Sequence, residues 1–371
     1  MDSIHEFLIP PAETARRKGP FDRIVMSSRV RLARNLKDSP FPGWAKKHER
    51  IRVFELIRPA VKSLPEMKDA FSETMDGLST LDKQILVERH LISREHAAKA
   101  AGSGVVLNRE ETLCFMINEE DHLRMQALKP GLQLRQAWTA IDQADSLLEK
   151  KLEYAYNADL GYLTACPTNL GTGIRVSAML HLPGLVLAEQ INAIIQSVNK
   201  LGLAVRGLYG EGTEALGNVF QVSNQMTLGE SESSIVERLE KVLAQIIEHE
   251  ENARATLLEK KPKMVFNYIG RAYGILANAH TISSKETMNL LSSMRLGVDL
   301  GLFPGVDRSL VDELFILTQP AHLQKQHSEK LSAEERDLLR SDMLRDRLKH
   351  VSRPLPKTPE PPAAGLDKPP K

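Results

Sequence analysis

A change of hydrophobic periodicity near Glu250 divides this sequence into two parts that need different architectures. Up to that residue, stretches in which apolar and polar residues alternate are mixed with stretches that have an apolar residue every three or four positions. Beyond it, only the second, helical spacing continues. A chain of 371 residues is long enough for two domains that each bury a core of ordinary size. The pattern therefore predicts an α+β domain followed by an all-helical domain.

The most distinct strand pair of the first part surrounds an acidic turn. Residues 113–118 form a short apolar run, and residues 123–127 then alternate between apolar and polar. The second run also has helical spacing, but Pro130 and Gly131 would end such a helix too early for stability. We therefore predict a hairpin whose turn is 119–121. Further helices are predicted over 133–152, over 188–201 and from about 231, and further strands over 176–182, 203–208 and 219–223.

Helix-capping residues mark the second part. Ser283 with Glu286 and Ser332 with Glu335 form predicted capping boxes, and an apolar helical pattern follows each of them. The tail from Arg353 is rich in proline and almost free of apolar residues, so we expect it to be disordered. These boundaries divide the chain into an N-terminal segment (1–20), a first domain (21–254), a helical domain (255–352) and a tail (353–371).

Composition argues against several classes of function. The 49 Lys and Arg residues nearly balance the 48 Asp and Glu residues, and a formal net charge of +1 gives no reason to expect nucleic acid or a membrane as a direct partner. Cys114 lies in an apolar run and Cys166 in a glycine-rich one, so no disulfide framework is predicted. No secretory signal and no run of about 18 apolar residues occurs. We expect a cytoplasmic protein.

The segment 166–173, Cys-Pro-Thr-Asn-Leu-Gly-Thr-Gly, indicates anion chemistry. Its thiol, its hydroxyl groups and its tight turns can bring backbone N–H groups close to an anion, and an arginine follows two residues later. The sequence contains neither a Walker loop nor a protein-kinase signature, so phosphate would have to be bound by another design. The candidate arginines are Arg29, Arg31, Arg124, Arg175 and Arg206.

Together these arginines could neutralise a triphosphate with Mg²⁺, because the planar guanidinium stays charged and binds pairs of oxygens. Arg29 and Arg31 are two residues apart, so in a strand they lie on one face and can contact the same ligand. The alternative is that each arginine lies on a solvated surface; their shared position beside glycines and serines favours a phosphate site. No residue is assigned to a metal site that the protein itself holds.

Two carboxylates stand out against this positive charge, Glu120 in the predicted hairpin turn and Glu211 shortly after Arg206. Turn residues are commonly acidic for conformational reasons alone. Beside a phosphate site, however, a carboxylate can orient a nitrogen or hydroxyl nucleophile and remove its proton. Cys166 also has two interpretations: a small buried thiol, or a thiolate that nearby arginines favour and that could pair with a cationic substrate.

Four segments, in this order, resemble the catalytic domain of the phosphagen (guanidino) kinases: 27–31 (Ser-Ser-Arg-Val-Arg), 118–124 (Asn-Glu-Glu-Asp-His-Leu-Arg), 166–173 and 206–211 (Arg-Gly-Leu-Tyr-Gly-Glu). The resemblance spans about 21–254. It implies an antiparallel sheet flanked by helices, ATP with Mg²⁺ as phosphoryl donor and a guanidinium nitrogen as acceptor. By matching position, it assigns catalysis to Glu120, Glu211 and Cys166, and nucleotide binding to Ser27, Ser28, Arg29, Val30, Arg31, His90, Arg124, Arg175, Val176, Ser177, Ala178, Met179, Arg206, Gly207, Leu208, Tyr209, Gly210 and Glu211.

Differences from the small-molecule enzymes of that family bear on the acceptor. Kinases of free arginine or creatine carry a helical domain before the first motif, whereas here 26 residues precede it, and Gln221 stands where those enzymes generally have aspartate. With its helical C-terminal domain, the chain resembles the bacterial protein-arginine kinases of the McsB type. This implies phosphorylation of arginine within a polypeptide. The alternatives are a kinase of a small free guanidino compound such as arginine, and an inactive adaptor that binds phosphoarginine.

The same resemblance implies partners and regulation. Phosphoarginine would mark proteins for a Clp unfoldase and protease, a zinc-binding activator protein of the McsA type would assist, a heat-shock repressor would be among the targets, and the chain would form a homodimer. The segment Arg336-Asp337-Leu-Leu-Arg340 resembles the family's allosteric phosphoarginine-binding motif, with Ser341 in place of alanine. The alternative is a solvated helix face, since Arg336 and Arg340 lie one turn apart.

Overall fold

An eight-stranded sheet forms the centre of the protein in this computed structural model, which describes residues 18–207 and 215–355. The strands are β1 (Val25–Arg34), β2 (Phe71–Thr74), β3 (Gly104–Leu107), β4 (Leu113–Ile117), β5 (Leu123–Pro130), β6 (Tyr156–Asn157), β7 (Gly161–Tyr162), β8 (Ile174–His181), β9 (Leu203–Gly207) and β10 (Val219–Asn224). The sheet order is β2-β3-β4-β5-β1-β8-β10-β9, and each neighbouring pair is antiparallel. Strands β6 and β7 form a separate two-stranded ribbon.

Helices cover one whole face of the sheet. On the opposite face they cover only the part near β3 and β4. The helices before the C-terminal part are α1 (Lys47–Lys62), α2 (Thr80–Glu88), α3 (Arg94–Ala97), α4 (Leu134–Glu149), α5 (Pro183–Leu187), α6 (Ile191–Lys200) and α7 (Glu232–Lys260). Helices α1, α4 and α7 share one apolar core with the sheet. A smaller core beneath α2 lies on the opposite face of β3 and β4, where Val105, Cys114 and Met116 are buried.

The central strand β1 shows how the sequence separates the two faces. Successive side chains of a strand point to opposite faces. Val30 and Leu32 are buried in the main core, whereas Arg29 and Arg31 are half-buried on the other face. Because β1 lies between β5 and β8, its arginines stand near the middle of the sheet. The main core therefore fixes the face from which these guanidinium groups project.

The C-terminal helical region comprises α8 (Pro262–Asn278), α9 (Ser284–Asp299), α10 (Arg308–Leu317), α11 (Pro320–Lys325) and α12 (Ala333–Leu348). It buries its own apolar core, to which Ile269, Leu291 and Leu314 belong. Polar contacts join it to the sheet: the hydroxyl of Ser292 lies 2.9 Å from Nε2 of His181, the last residue of β8. No helix of the described ranges, 18–207 and 215–355, is long and apolar enough to cross a membrane.

Most predicted elements are confirmed, with shifts at their ends. The hairpin predicted over 113–127 is confirmed as β4 and β5, so this stretch is not helical. The strand predicted over 176–182 ends one residue early, since Leu182 already precedes the short helix α5, which the sequence analysis missed. The helix predicted over 188–201 begins only at Ile191. Helix α7 runs without a break through residue 254, up to Lys260.

Candidate active site

The arginines of β1 lie opposite polar residues of β8. In the antiparallel register, Arg31 pairs with Arg175 and Arg29 pairs with Ser177. The Nε of Arg29 donates to the hydroxyl of Ser177 at 3.4 Å. We call the surface formed by Arg29, Arg31 and Arg175 the arginine face. The strand period thus places Arg29 and Arg31 on one surface, as the sequence predicts, and the register adds Arg175 from the neighbouring strand.

The arginine face carries positive charge that no carboxylate of residues 18–207 or 215–355 neutralises in an ion pair. Within the described part of the chain, no carboxylate lies at ion-pair distance from Arg29, Arg31 or Arg175. Burial, followed by the charges of Arg124 and Arg175, lowers the pKa of Arg29 to about 10. Burial and the neighbouring arginines also lower the pKa of Arg31. Its Nε is buried and has no hydrogen-bond partner among the described residues. Such a surface is stabilised by an anion that lies across it.

Arg175 and Arg206 extend this charge towards the edge of the sheet. Arg175 donates to the hydroxyl of Ser223 at 3.3 Å, and burial followed by the charges of Arg206 and Arg124 lowers its pKa. Arg206 lies near the end of β9 and is exposed. The positive potential therefore spans several strands, which suits a ligand with more than one anionic group.

Arg124 is the one candidate arginine that has a carboxylate partner within the described ranges. Its Nη1 lies 2.6 Å from Oε2 of Glu119, whose other oxygen accepts from the Ser93 hydroxyl at 2.6 Å. Burial alone would raise the pKa of Glu119, but the charge of Arg124 and these hydrogen bonds lower it. The sequence analysis did not identify Glu119. The same hairpin turn therefore contains one carboxylate that orients an arginine and a second, Glu120, that is exposed.

Glu120 is the exposed carboxylate of the turn between β4 and β5. Its pKa is raised, first by partial burial and then by the negative charge of Asp121, although Arg124 acts in the opposite direction. Its backbone N–H donates to Glu119 at 3.1 Å, which fixes the shape of the turn. A carboxylate with a raised pKa is a stronger base than an ordinary one, and it can accept a proton near neutral pH more readily.

Asp121 and Asn35 tie this turn to the segment 166–173. Asp121 accepts from the backbone N–H of Ala165 at 2.7 Å and from the Asn35 side chain at 2.6 Å. The Asn35 amide also donates to the carbonyl of Leu163 at 3.0 Å, and its oxygen accepts from the N–H of His122 at 2.9 Å. Ala165 directly precedes Cys166. The acidic turn and the thiol are consequently held together through one buried amide, which sequence reasoning did not single out.

Cys166 stands at the edge of this arrangement. It is half-buried, its sulfur lies 3.0 Å from the Thr168 hydroxyl, and its charge would act favourably on Arg175. The glycines that follow allow close packing: Gly173 has φ +68°, and a Cβ there would lie 2.6 Å from the Ala33 carbonyl oxygen. The sequence analysis predicted that these glycines help to bind an anion. In the structure, Gly173 allows this segment to pack closely against β1.

His90 follows α2 and has a left-handed backbone with φ +60°. Its carbonyl accepts from the Gln126 side chain at 3.0 Å, which holds this unfavourable conformation. Burial, followed by the charge of Arg29, lowers the pKa of His90 to about 4. The ring is therefore neutral at pH 7 and adds hydrogen-bonding capacity beside the arginine face without further charge.

A cavity of about 210 Å³ opens beside the arginine face. Five of the residues assigned to the nucleotide line it, and residues of α9 and α10 form its far wall. Its lining combines apolar side chains, such as Met288 and Ile316, with charged ones, such as Arg308 and Asp312. Its lining residues from the sheet side include Ser27, Arg29, His90, Ser177 and Met179.

Some of the assigned residues lie elsewhere. The side chains of Val30, Val176 and Ala178 are buried in the main core, on the opposite side of the sheet. The Ser28 hydroxyl donates to the carbonyl of Gly131 at 2.7 Å and is buried. Their side chains therefore serve the fold. Leu208, Tyr209, Gly210 and the second predicted catalytic carboxylate, Glu211, lie outside the described residues, and Gly207 is the last residue before that gap.

The motif in the helical region is not a solvated surface. Arg340 is 1% exposed, and its guanidinium donates to the carbonyls of Thr318 at 2.8 Å and Ile282 at 2.9 Å, besides its ion pair with Asp337. The alternative of an exposed helix face is wrong for Arg340. Arg336 is half-buried and donates to the Leu331 carbonyl at 2.9 Å. Arg340 thus links α12 to the segments that precede α9 and α11.

Comparisons with known proteins agree with this geometry. Residues 52–253 match the family model of the ATP:guanido phosphotransferase C-terminal catalytic domain, and residues 262–359 match that of the protein-arginine kinase McsB C-terminal domain. Among solved structures, a lombricine kinase is similar with 26% identity and a TM-score of 0.56, over 66% of this chain and 72% of that chain. The duplicated taurocyamine kinase of Schistosoma mansoni has 26% identity and a TM-score of 0.57, over 73% of this chain and 40% of that chain.

The antiparallel sheet and the family match define a kinase of the phosphagen kinase class, which uses ATP. Curated relatives show which family within this class the chain belongs to. The protein-arginine kinase of Halothermothrix orenii is 46% identical over 331 residues, which is 89% of this chain and 95% of that protein. That of Desulforamulus reducens is 47% identical over 337 residues, which is 90% of this chain and 94% of that protein. The chain belongs to the protein-arginine kinase family.

Proposed function

We propose that this chain transfers the γ-phosphoryl group of Mg·ATP to the guanidinium of arginine residues in proteins. The observation that carries the proposal is the arginine face, a half-buried cluster of like charges that no described carboxylate neutralises, beside the acidic turn with Glu120. The names of the curated relatives support the choice of a protein acceptor. The nucleotide-binding and catalytic roles of the individual residues are part of this proposal.

Arg29, Arg31 and Arg175 would bind the triphosphate and stabilise charge on the migrating phosphoryl group. In phosphoryl transfer most of the catalysis comes from positioning and from electrostatic stabilisation, since charge spreads over the equatorial oxygens of the phosphoryl group in the transition state. Strand pairing fixes the register of all three residues, and the Ser177 and Ser223 hydroxyls hold the side chains of Arg29 and Arg175. Little reorganisation is then needed when the nucleotide enters.

Glu120 would act as the general base on the acceptor. A guanidinium has a pKa above about 12, so it is a poor nucleophile until a proton is removed. One nitrogen attacks the γ-phosphorus, the bond to the β-γ bridging oxygen breaks, and ADP leaves with that electron pair. The proton of the nitrogen passes to Glu120, with Glu211 as the second carboxylate that the family resemblance assigns. A Cys166 thiolate would hold the cationic acceptor by charge.

Mg²⁺, when bound, neutralises part of the triphosphate charge. Among residues 18–207 and 215–355, no group of three or more His, Cys, Asp or Glu side chains is placed to hold a metal ion. The side chains of the arginine face are cations and do not ligate one. We propose that Mg²⁺ enters with ATP and is held mainly by phosphate oxygens, as is usual for this ion.

The test compares two acceptors at equal arginine concentration. The purified chain with Mg·ATP is given either a reduced, unfolded protein or free arginine, and acid-labile phosphate is measured by ³¹P NMR. We expect transfer to the protein, almost none to free arginine, and none to the same protein with every arginine replaced by lysine. Rapid phosphorylation of free arginine with none of the protein would favour the small-molecule kinase instead. Absence of transfer to either acceptor, with phosphoarginine still bound, would favour the adaptor.

Downstream roles extend the proposal. Because the chain belongs to the protein-arginine kinase family, we propose that its product marks proteins for a Clp-type unfoldase and protease in the cytoplasm. We also propose that a zinc-binding protein activates the chain, that a heat-shock repressor is one of its targets, and that the chain forms a homodimer. The divisions at residues 20, 254 and 352 are retained as proposed domain boundaries. Arg336, Asp337 and Arg340 are proposed to sense phosphoarginine; because Arg340 already binds two backbone carbonyls, a ligand there would act on the contacts between α12 and its neighbours.

A further inference from the structure

On the sheet face that carries the arginines, the positive charge decreases from Arg31 towards α10. The row formed by Arg31 and Arg175 is followed by Arg29 with Ser177, and then by a row in which Ser27, Met179 and Gln221 are neighbours on β1, β8 and β10. Rows on one face are two residues apart, which is about 6.7 Å along a strand. The third row is uncharged and lies roughly 13 Å from the first by the same spacing. A nucleotide with its phosphates on the arginines therefore has its nucleoside over the third row.

The C-terminal helical region closes the cavity above that row. Helix α10 presents one side to it, with Ser309, Asp312 and Ile316 three and four residues apart, and Met288 of α9 completes the wall. Residues at this spacing share a helix face. The opposite side of α10 contributes Val311 and Leu314 to the core of the helical region. One short helix thus belongs to both the helical core and the cavity.

Partly buried ion pairs hold α10 against the segment just before β1. Arg308 pairs with Asp22 at 2.7 Å and with Asp299 at 3.1 Å. Asp312 pairs with Arg295 at 2.6 Å, and Arg295 also donates to the backbone carbonyl of Asp22 at 2.9 Å. The wall is consequently fixed relative to the strand that carries the arginine face. A binding surface that is fixed before the ligand arrives loses less entropy on binding.

We propose that α10 and Met288 form the wall of the nucleoside subsite, so that the C-terminal helical region is itself part of the ATP site. Ile316 and Met288 pack against the purine, and the Ser309 hydroxyl faces the ribose. Apolar walls with a few placed polar groups are the usual environment of such ligands. The proposal rests on the proposed function, since it takes the arginine face as the phosphate subsite.

The experiment uses the full chain and two probes, Mg·ATP and Mg·tripolyphosphate, with dissociation constants measured by calorimetry. Replacing Ile316→Trp fills the cavity, and we expect it to weaken ATP binding about tenfold or more, because the indole would occupy space that the purine needs. Tripolyphosphate lacks the nucleoside, so its binding should change less than about twofold. The matched control is Ile275→Trp on α8, where the side chain is 37% exposed and outside the cavity. It should change neither constant.

A second variant covers the case in which Ile316→Trp does not fold. Ile316→Ala removes apolar contact without overpacking, and ATP binding should weaken about threefold to tenfold while tripolyphosphate binding is kept. ATP binding within twofold of the wild type in the folded variants would overturn the proposal, as would an equal loss of both probes. If the wild-type chain bound neither probe, the proposed function itself would fail, which is a distinct result.

Discussion

Two clusters of arginines in this chain differ in what surrounds them. On the arginine face, Arg29, Arg31 and Arg175 lie among one another and lack a carboxylate partner in the described ranges, and burial together with mutual repulsion lowers the pKa of each. This arrangement costs free energy in the absence of a ligand, because like charges are held together in a partly buried setting. The fold keeps them there through strand register.

The second cluster, Arg254 with Arg295, joins α7 and α9 to the sheet; we call it the junction cluster. Arg254 pairs with Glu250 at 2.6 Å and with Asp299 at 3.1 Å. Burial alone would lower the pKa of Arg295, but the charges of Asp312 and Asp299 raise it. Both guanidinium groups form ion pairs with carboxylates of the protein itself. Paired arginines therefore stabilise the fold, whereas we propose that arginines without a described carboxylate partner bind an anionic substrate.

The largest expected effect concerns activity. Replacing Arg31→Ala removes a charge that would stabilise the transferring phosphoryl group, and kcat/KM for the proposed transfer should fall by about 10³-fold or more. The free energy of unfolding should stay equal or rise, since a half-buried charge that its neighbours repel is gone. Steady-state kinetics and urea unfolding of the same preparation measure both. A less stable protein with nearly normal kcat/KM would show that Arg31 is structural.

The junction cluster should respond in the opposite way. Arg254→Met leaves Glu250 and Asp299 buried without this partner, so the free energy of unfolding should fall by about 3–5 kcal/mol. Below the unfolding transition kcat should remain near the wild-type value. Lys241→Met, in the exposed pair of α7 with Glu237, is the matched control and should leave stability unchanged. Equal effects of both substitutions would remove the distinction between buried and exposed pairs.

The acidic turn offers the same contrast at smaller scale, because Glu119 is paired with Arg124 and Glu120 is exposed. Glu120→Gln should lower kcat by about 10²-fold if Glu120 removes the acceptor proton. Since the pKa of Glu120 is raised, acidification should protonate it at a higher pH than an ordinary glutamate. The wild-type rate should accordingly decline on the acid side, and this limb should be absent in the variant. A pH profile shared by both enzymes would exclude Glu120 as the base.

Much of the sheet and of the arginine face could be predicted from the sequence because both depend on local rules. Alternation predicts which side chains share a strand face, and it places Arg29 beside Arg31. The acidic turn follows from the hairpin. The helix predicted over 133–152 is found as α4, which ends at Glu149. In each case the information lies within a few residues.

The remainder depends on partners that are distant in the sequence. Arg340 lies in a polar helical stretch, but its side chain is buried and donates hydrogen bonds to the carbonyls of Thr318 and Ile282. Asn35 joins the acidic turn to the segment before Cys166, and no motif marks it. The face of α10 is helical in pattern, yet the pattern does not say that the cavity beside β1 lies against it. Long-range packing, rather than propensity, decides such positions.

The most direct test measures how much nucleotide stabilises each variant. With Mg·ATP at 100 times the wild-type dissociation constant, the free energy of unfolding of the wild type should rise by about 2.7 kcal/mol. Arg254→Met should gain about as much as the wild type, despite its lower starting stability, and Arg31→Ala should gain clearly less. If Arg31→Ala gained as much as the wild type, the unpaired arginines would not be the phosphate site.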